Sequence, residues 1–368
     1  MSLSPTFMTV LPFDLVELIA KEIEDDPSIF NLRLVSKSVN SAVTPLALRV
    51  VVVRDSIESA SAVSFLQDCD GSVTSHVREV IFRGYSPGNR PEEEPRDALR
   101  ATFSRLNKFP NLHTLRLDFH VLWEESVRQQ WTRLVPEKLS RFYHLQTAIF
   151  AGLAENPPRS LISLLLHNIY KEKNFHRVLE PVQNLEIRVL SEPDDEVWFE
   201  KRFLAVFWRQ SVALMVRAAT SLTSLTLRGD QPVGVNPPLS FQGATLPHLT
   251  SLVLHQFMLD PMLSVGSGVF AFILRHKATL THLELHGCTI DGGEVPEFLG
   301  QWHTIFTRFE QELRFLRSFV FENRDGNPSQ SLEFGYTRLV YEEYDYETWK
   351  EPIHSAGPSI LGRFKLFA

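Results

Sequence analysis

The chain returns repeatedly to one local pattern, apolar-x-x-apolar-x-apolar, and this recurrence constrains the fold more than any other feature. Clear copies are Leu112/Leu115/Leu117, Leu161/Leu164/Leu166, Leu222/Leu225/Leu227, Leu249/Leu252/Leu254 and Leu280/Leu283/Leu285. Weaker copies are Val77/Val80/Phe82, Leu145/Ala148/Phe150, Val182/Leu185/Ile187 and Leu316/Phe319/Phe321. The last two apolar positions of each copy lie two residues apart, the spacing that puts side chains on one face of a strand. Successive copies start 16 to 40 residues apart, and the longer intervals carry helical patterns at 95–106, 123–142, 196–218, 265–276 and 294–313. A strand, a helix and a second parallel strand make a right-handed crossover unit. The sequence therefore predicts an α/β body, a curved parallel sheet backed by helices.

Two segments frame this body. Residues 48–54 are a β-branched run that reads as a first strand, with 57–66 as its helix, and 332–344 alternate as a last strand. The 16-residue step from Leu145 to Leu161 is too short for a strand and a full helix, so Asn156-Pro157-Pro158 predicts a bare loop there. The acidic stretch 91–95 reads as a solvated loop. The repeated strand pattern resembles the leucine-rich repeat, with insertions that lengthen most units beyond the roughly 20–29 residues of regular ones. That resemblance implies a solenoid whose units each pack on their neighbours.

The first fifty residues are different in kind. Leu11-Pro12-Phe13-Asp14-Leu15 opens a helix in which Leu15, Leu18, Ile19 and Ile23 form one apolar stripe. Pro12 suits a first turn, and Asp14 sits favourably near the positive end of the dipole. Asp25-Asp26-Pro27-Ser28 reads as a break and a fresh N-cap, and Thr44-Pro45 closes the helical region. Leu11-Pro12-x-Asp14-Leu15, Ile19 and Ile23, Leu32-Arg33-Leu34-Val35-Ser36-Lys37 and Pro45-Leu46 together resemble the F-box motif. The resemblance covers about 40 residues and is closest to divergent fungal F-box proteins with leucine-rich repeats. It implies a three-helix segment that docks on the Skp-type adaptor of SCF ubiquitin ligases, with Leu11, Pro12, Leu15, Ile19, Leu32, Val35 and Lys37 forming or supporting the docking surface. Val39 departs from the family, which often has a larger residue there. The implied organisation is an F-box-like domain over 8–48, a leucine-rich-repeat-like solenoid over 49–345 and an irregular tail over 346–368. The alternative reading is a repeat scaffold with no ligase partner, whose N-terminal helices only cap the hydrophobic end of the array.

Composition narrows the remaining function classes. A net charge of −7 argues against nucleic-acid partners, which need a basic field to displace counterions from phosphates. Two cysteines, Cys69 and Cys288, build neither a disulfide framework nor a Cys-rich zinc site, which suits the cytoplasm or nucleus. Neither a secretory leader nor an apolar run of about 18–20 residues is present, so no membrane association is expected. Walker, dinucleotide, H-E-x-x-H, C-x-x-C and G-x-S-x-G signatures are missing, so a non-catalytic protein without cofactor or metal is expected.

The repeat register also predicts what the outward face of the sheet presents. One column reads Arg83, Asp118, Ala151, His167, Arg188, Arg228, His255, His286 and Glu322. The column two residues earlier reads Ile81, Arg116, Ile149, Leu165, Glu186, Thr226, Val253, Glu284 and Val320. His167, Arg188, Arg228, His255 and His286 make a basic, histidine-rich stretch able to receive an acidic or phosphorylated segment of a target protein, the other reading being a merely soluble strand face. His255 and His286 would lie side by side at about 4.8 Å, near enough to share a metal, with ordinary strand residues the simpler reading; His282 lies too far along its strand to join them.

Overall fold

The computed structural model describes residues 13–21, 26–84, 95–119, 140–167, 174–189, 207–234, 239–241, 244–259, 268–291, 302–322, 336–337 and 365–366. The chain forms two compact units, one comprising 1–120 and 147–163, the other 121–146 and 164–368. Expectations for the acidic loop 91–94, for most of the helix at 123–142 and for most of the strand at 332–344 lie outside the described residues.

The first unit opens with three helices, α1 (Phe13–Lys21), α2 (Asp26–Leu32) and α3 (Lys37–Ala47). Ser36 caps α3, its Oγ accepting from the Val39 amide at 3.2 Å. The helices share a small core of Val16, Ala20, Val39, Ala42 and Val43, against which Ile29, Leu32 and Leu46 pack. Pro45 does not end α3, as the sequence suggested; the helix runs on to Ala47, and Leu48 N–H donates to the Thr44 carbonyl at 3.0 Å. Val39 is only 1% exposed, so its small size tunes this core rather than an outer surface.

Three parallel strands follow in order, β1 (Val50–Arg54), β2 (Glu79–Arg83) and β3 (Thr114–Asp118). Val51, Val80 and Leu115 pair across them, as do Val53, Phe82 and Leu117, and all six side chains are buried. Between the strands lie α4 (Ile57–Gln67), the single turn α5 (Gly71–Thr74) and α6 (Arg96–Phe103). Buried Thr102 ties α6 to α4: its hydroxyl donates to Ala60 O at 3.1 Å, and its carbonyl accepts from Gln67 Nε2 at 2.9 Å.

One prediction fails here. Leu145, Ala148 and Phe150 lie not on a strand but in α7 (Ser140–Glu155), whose residues from Thr147 onward belong to the first unit. Ile149 and Ala151, assigned above to the outward columns, are therefore helical. Leu145, Ile149 and Leu153 are all buried at a four-residue spacing, the signature of a helix, which outweighs the strand-like match. The bare loop is confined to the residues after Glu155. Gly152 permits close approach of the two helices, since a Cβ there would stand 2.4 Å from the Arg100 carbonyl oxygen of α6.

The second unit carries β4 (Ser163–His167) from Leu164 onward, β5 (Asn184–Val189), β6 (Ser224–Val233), β7 (Ser251–Leu259) and β8 (His282–His286). Strands β5 to β8 are parallel and adjacent in chain order; β9 (Thr289–Asp291) leaves this ladder to pair with the end of β7, and β10 (Ser318–Glu322) lies parallel to β8. The short β11 (Tyr336–Thr337) pairs with β9 and β12 (Lys365–Leu366) with β10, both parallel. Helices α8 (Phe175–Leu179), α9 (Val212–Ala218), α10 (Val269–Arg275) and α11 (Trp302–Glu312) lie in the intervals between strands. The inward pairs Leu225/Leu227, Leu252/Leu254 and Leu283/Leu285 are fully buried, and Trp302, Phe306 and Phe309 of α11 pack on Phe319 and Phe321 of β10.

The repeats share a hydrogen-bonding device at the start of each strand. The amides of Thr250 and Ser251 both donate to the Thr223 carbonyl, and those of Thr281 and His282 both donate to the Thr250 carbonyl. The hydroxyls of Thr250 and Thr281 add a third donor to the same oxygens at 3.1 Å. Arg78 and Glu79 amides likewise converge on the Arg49 carbonyl in the first unit. Beyond the paired stretch, Gln256 and Gly287 occupy equivalent positions with φ of 62° and 55°, turning β7 and the end of β8 into the second short ladder. Among the described residues no helix is long and apolar enough to cross a membrane.

Candidate binding surfaces

Two surfaces carry the residues singled out by sequence. The first is the outside of the N-terminal helices. Helix α1 turns Val16 and Ala20 into the core and leaves the stripe Leu15, Leu18 and Ile19 facing outward. Phe30 at the end of α2, and Leu34 and Val35 in the turn to α3, are exposed as well, so six large apolar side chains stand between 44% and 84% accessible within 21 residues. Such a density of exposed apolar side chains is characteristic of an interaction site. Lys37 is exposed at the first turn of α3, whereas Leu32 sits partly buried against the helical core and supports the face from behind. Leu11 and Pro12 lie outside the described residues. Sequence reasoning passed over Phe30 and Leu34 as members of this face; their apolar character in a short polar-flanked helix and turn was the available signal.

The second surface is the outward face of the strands in the second unit. The predicted register is observed: Arg188 pairs with Arg228, Arg228 with His255, His255 with His286, and His286 with Glu322. The histidines are not isolated surface residues. The rings of His255 and His286 stack with centroids 4.3 Å apart and planes 9° from parallel. The nitrogens of His286 lie against two carboxylates, Nδ1 at 2.9 Å from Glu322 Oε2 and Nε2 at 2.7 Å from Glu284 Oε2. Glu284 also reaches His282 Nε2 at 2.7 Å, so His282 joins the group through a glutamate bridge.

The network extends towards β5. Arg228 Nε stands 3.1 Å from Glu186 Oε1, a close ion pair whose N–H is not well directed, and His167 Nε2 is 3.9 Å from the same oxygen. Arg228 is thus already neutralised within the chain, while Arg188 is exposed. The three glutamates that organise the face, Glu186, Glu284 and Glu322, were visible as column residues, but only side-chain geometry shows them as bridges.

Electrostatics follow from these contacts. Burial, reinforced by the positive charges of Arg228 and His286, pushes His255 down to about 4, and among the described residues its buried Nε2 has no hydrogen-bond partner. Burial alone would raise Glu284, but hydrogen bonds from His286 and His282 outweigh it and hold the carboxyl below the ordinary range. Among the described residues no group of three or more His, Cys, Asp or Glu side chains converges as a metal would require. The bonds to Glu284 and Glu322 occupy the His286 nitrogens that a shared metal would need. The arrangement is a preorganised polar face of alternating charge, suited to reading a complementary polar surface. No protein-family model matches the chain, and no curated protein matches it.

Proposed function

We propose that the chain is a non-catalytic, substrate-recruiting adaptor subunit of an SCF-type ubiquitin ligase in the cytoplasm or nucleus. The N-terminal helices, read as an F-box, bind a Skp-type linker protein. The strands that follow them in the chain, read as a leucine-rich-repeat solenoid, receive the target protein on the face that carries His167, Arg188, Arg228, His255 and His286. The observation that carries this reading is the outward apolar stripe of Leu15, Leu18 and Ile19, continued by Phe30, Leu34 and Val35, over a separately completed helical core. Helices that served only as a cap would direct their largest apolar side chains inward against the array. These helices bury small residues such as Val16 and Ala20 and leave the larger ones exposed.

The test is co-elution of the purified chain with a Skp-type adaptor in size-exclusion chromatography. Wild type is expected to elute as a one-to-one complex, and the Leu11→Ala/Pro12→Ala double variant to elute apart from the adaptor. Failure of the wild type to co-elute, or unchanged co-elution of the variant, sinks the ligase reading and leaves an interaction scaffold.

A further inference from the structure

The start of the sheet in the first unit gathers positive charge in a cleft. Arg49, Arg78 and His113 each occupy the position immediately before a strand, and the residues that follow them, Val50, Glu79 and Thr114, pair in register across β1, β2 and β3. The three side chains are therefore set off from one another by the spacing of adjacent strands, about 4.8 Å. His76, and Pro45 from the last turn of α3, complete a cleft of about 380 Å³.

The two arginines differ from others of the unit. Elsewhere in the unit Arg100 pairs with Glu155, Arg105 with Asp68 and Arg116 with Asp118. Arg49 and Arg78 are exposed, and neither joins an ion pair with another described residue. The side chain of His113 has one weak contact, Nδ1 to Thr114 Oγ1 at 3.4 Å, which leaves Nε2 for another group. The backbone carbonyls of Arg49, Arg78 and His113 are consumed by the amides of the next strand, so no lone pair of the ladder competes for the cleft. A chain with a net charge of −7 thus keeps two unneutralised guanidinium groups and two imidazoles together around one concavity.

We propose that this cleft is a binding site for a phosphate-type oxyanion, either inorganic phosphate or a phosphate monoester. Two guanidinium forks present paired N–H donors whose geometry matches tetrahedral oxyanions, and the imidazole N–H groups of His76 and His113 supply donors at the margin. A dianion with three or four acceptor oxygens uses this donor set more fully than a single carboxylate does. The site is independent of the ligase reading, because neither its residues nor its ligand involve the outward face of the helices.

The test uses the full chain, isotopically labelled, titrated with inorganic phosphate, with O-phosphoserine and with N-acetylaspartate at low ionic strength, where charge pairing is least screened. Saturable amide shifts centred on residues 49, 78 and 113 are expected with both phosphates, with N-acetylaspartate weaker by about ten-fold or more. The exposed pair Arg49→Gln/Arg78→Gln should weaken phosphate by about ten-fold or more, with Arg49→Lys/Arg78→Lys recovering part of the loss. Equal affinity for phosphate and phosphoserine identifies a free anion as ligand; tighter phosphoserine identifies a monoester carried on a larger molecule. Absence of saturation by either up to about 10 mM, shifts scattered away from the cleft, or unchanged affinity in the Gln variant would overturn the assignment.

Discussion

His255 makes the protein acid-sensitive in a way that one substitution isolates. Its ring is held neutral by burial and by the charges of Arg228 and His286, with its titration moved from 6.5 to about 4. Between those values the unfolded chain binds a proton that the native state refuses, so stability is full above pH 6.5 and falls as pH drops towards 4. At 1.36 kcal/mol per unit the full depression corresponds to roughly 3 kcal/mol. His255 is only partly buried, and solvent screening reduces this to about 1–2 kcal/mol. The substitution His255→Phe keeps an aromatic ring stacked on His286 and removes the titration. Urea unfolding of the wild type and variant at a series of pH values from 4.5 to 7.5 should show the wild type losing about 1–2 kcal/mol more than the variant across the window. Direct observation of the ring by NMR should place its midpoint well below that of an exposed histidine. Parallel stability curves, or a midpoint near 6.5, would refute the buried neutral stack.

Three further predictions concern packing and reactivity. His276 accepts the Leu246 amide on Nε2 at 2.8 Å, while Nδ1 lies 2.8 Å from the Phe272 carbonyl; His276→Phe strands the Leu246 N–H in a buried site and should cost about 2 kcal/mol by denaturant unfolding. Gly152→Ala drives a methyl into the Arg100 carbonyl and should lower stability by about 1–3 kcal/mol despite alanine's better helix propensity, as read by thermal unfolding. Burial pushes the Cys288 thiol up to about 12, so iodoacetamide should modify partly exposed Cys69 in the native protein and reach Cys288 only after unfolding, as mass spectrometry of the digests would show.

The strands were legible because two physical requirements coincide in them. Leu283 and Leu285 must share the inward face, and the residues between and beside them must tolerate solvent, so period-two alternation survives heavy divergence elsewhere. The same template misread Leu145, Ala148 and Phe150, because its first two positions also satisfy a helical spacing; Leu145, Ile149 and Leu153 recur every four residues and carried the correct signal. The outward columns were legible from register alone. What they do was not, because whether Arg228 is free or spent on Glu186 depends on rotamers that alternation does not encode. On α1 two adjacent apolar stripes compete, Val16/Ala20 and Leu15/Leu18/Ile19, and periodicity does not rank them; packing against α3 admits the smaller pair.

The outward stripe on α1 is proposed as the docking face for the adaptor. Calorimetric titration of a Skp-type adaptor into the wild-type chain and into Leu15→Ser/Ile19→Ser tests it directly. These side chains are about half exposed, so covering what remains is worth about 1–1.5 kcal/mol each, and the variant should bind about 30-fold or more weakly. Its fold should persist with only a small drop in urea midpoint, because neither side chain belongs to the helical core. Equal adaptor affinity in the two proteins, or a variant that loses its fold along with binding, would contradict the claim.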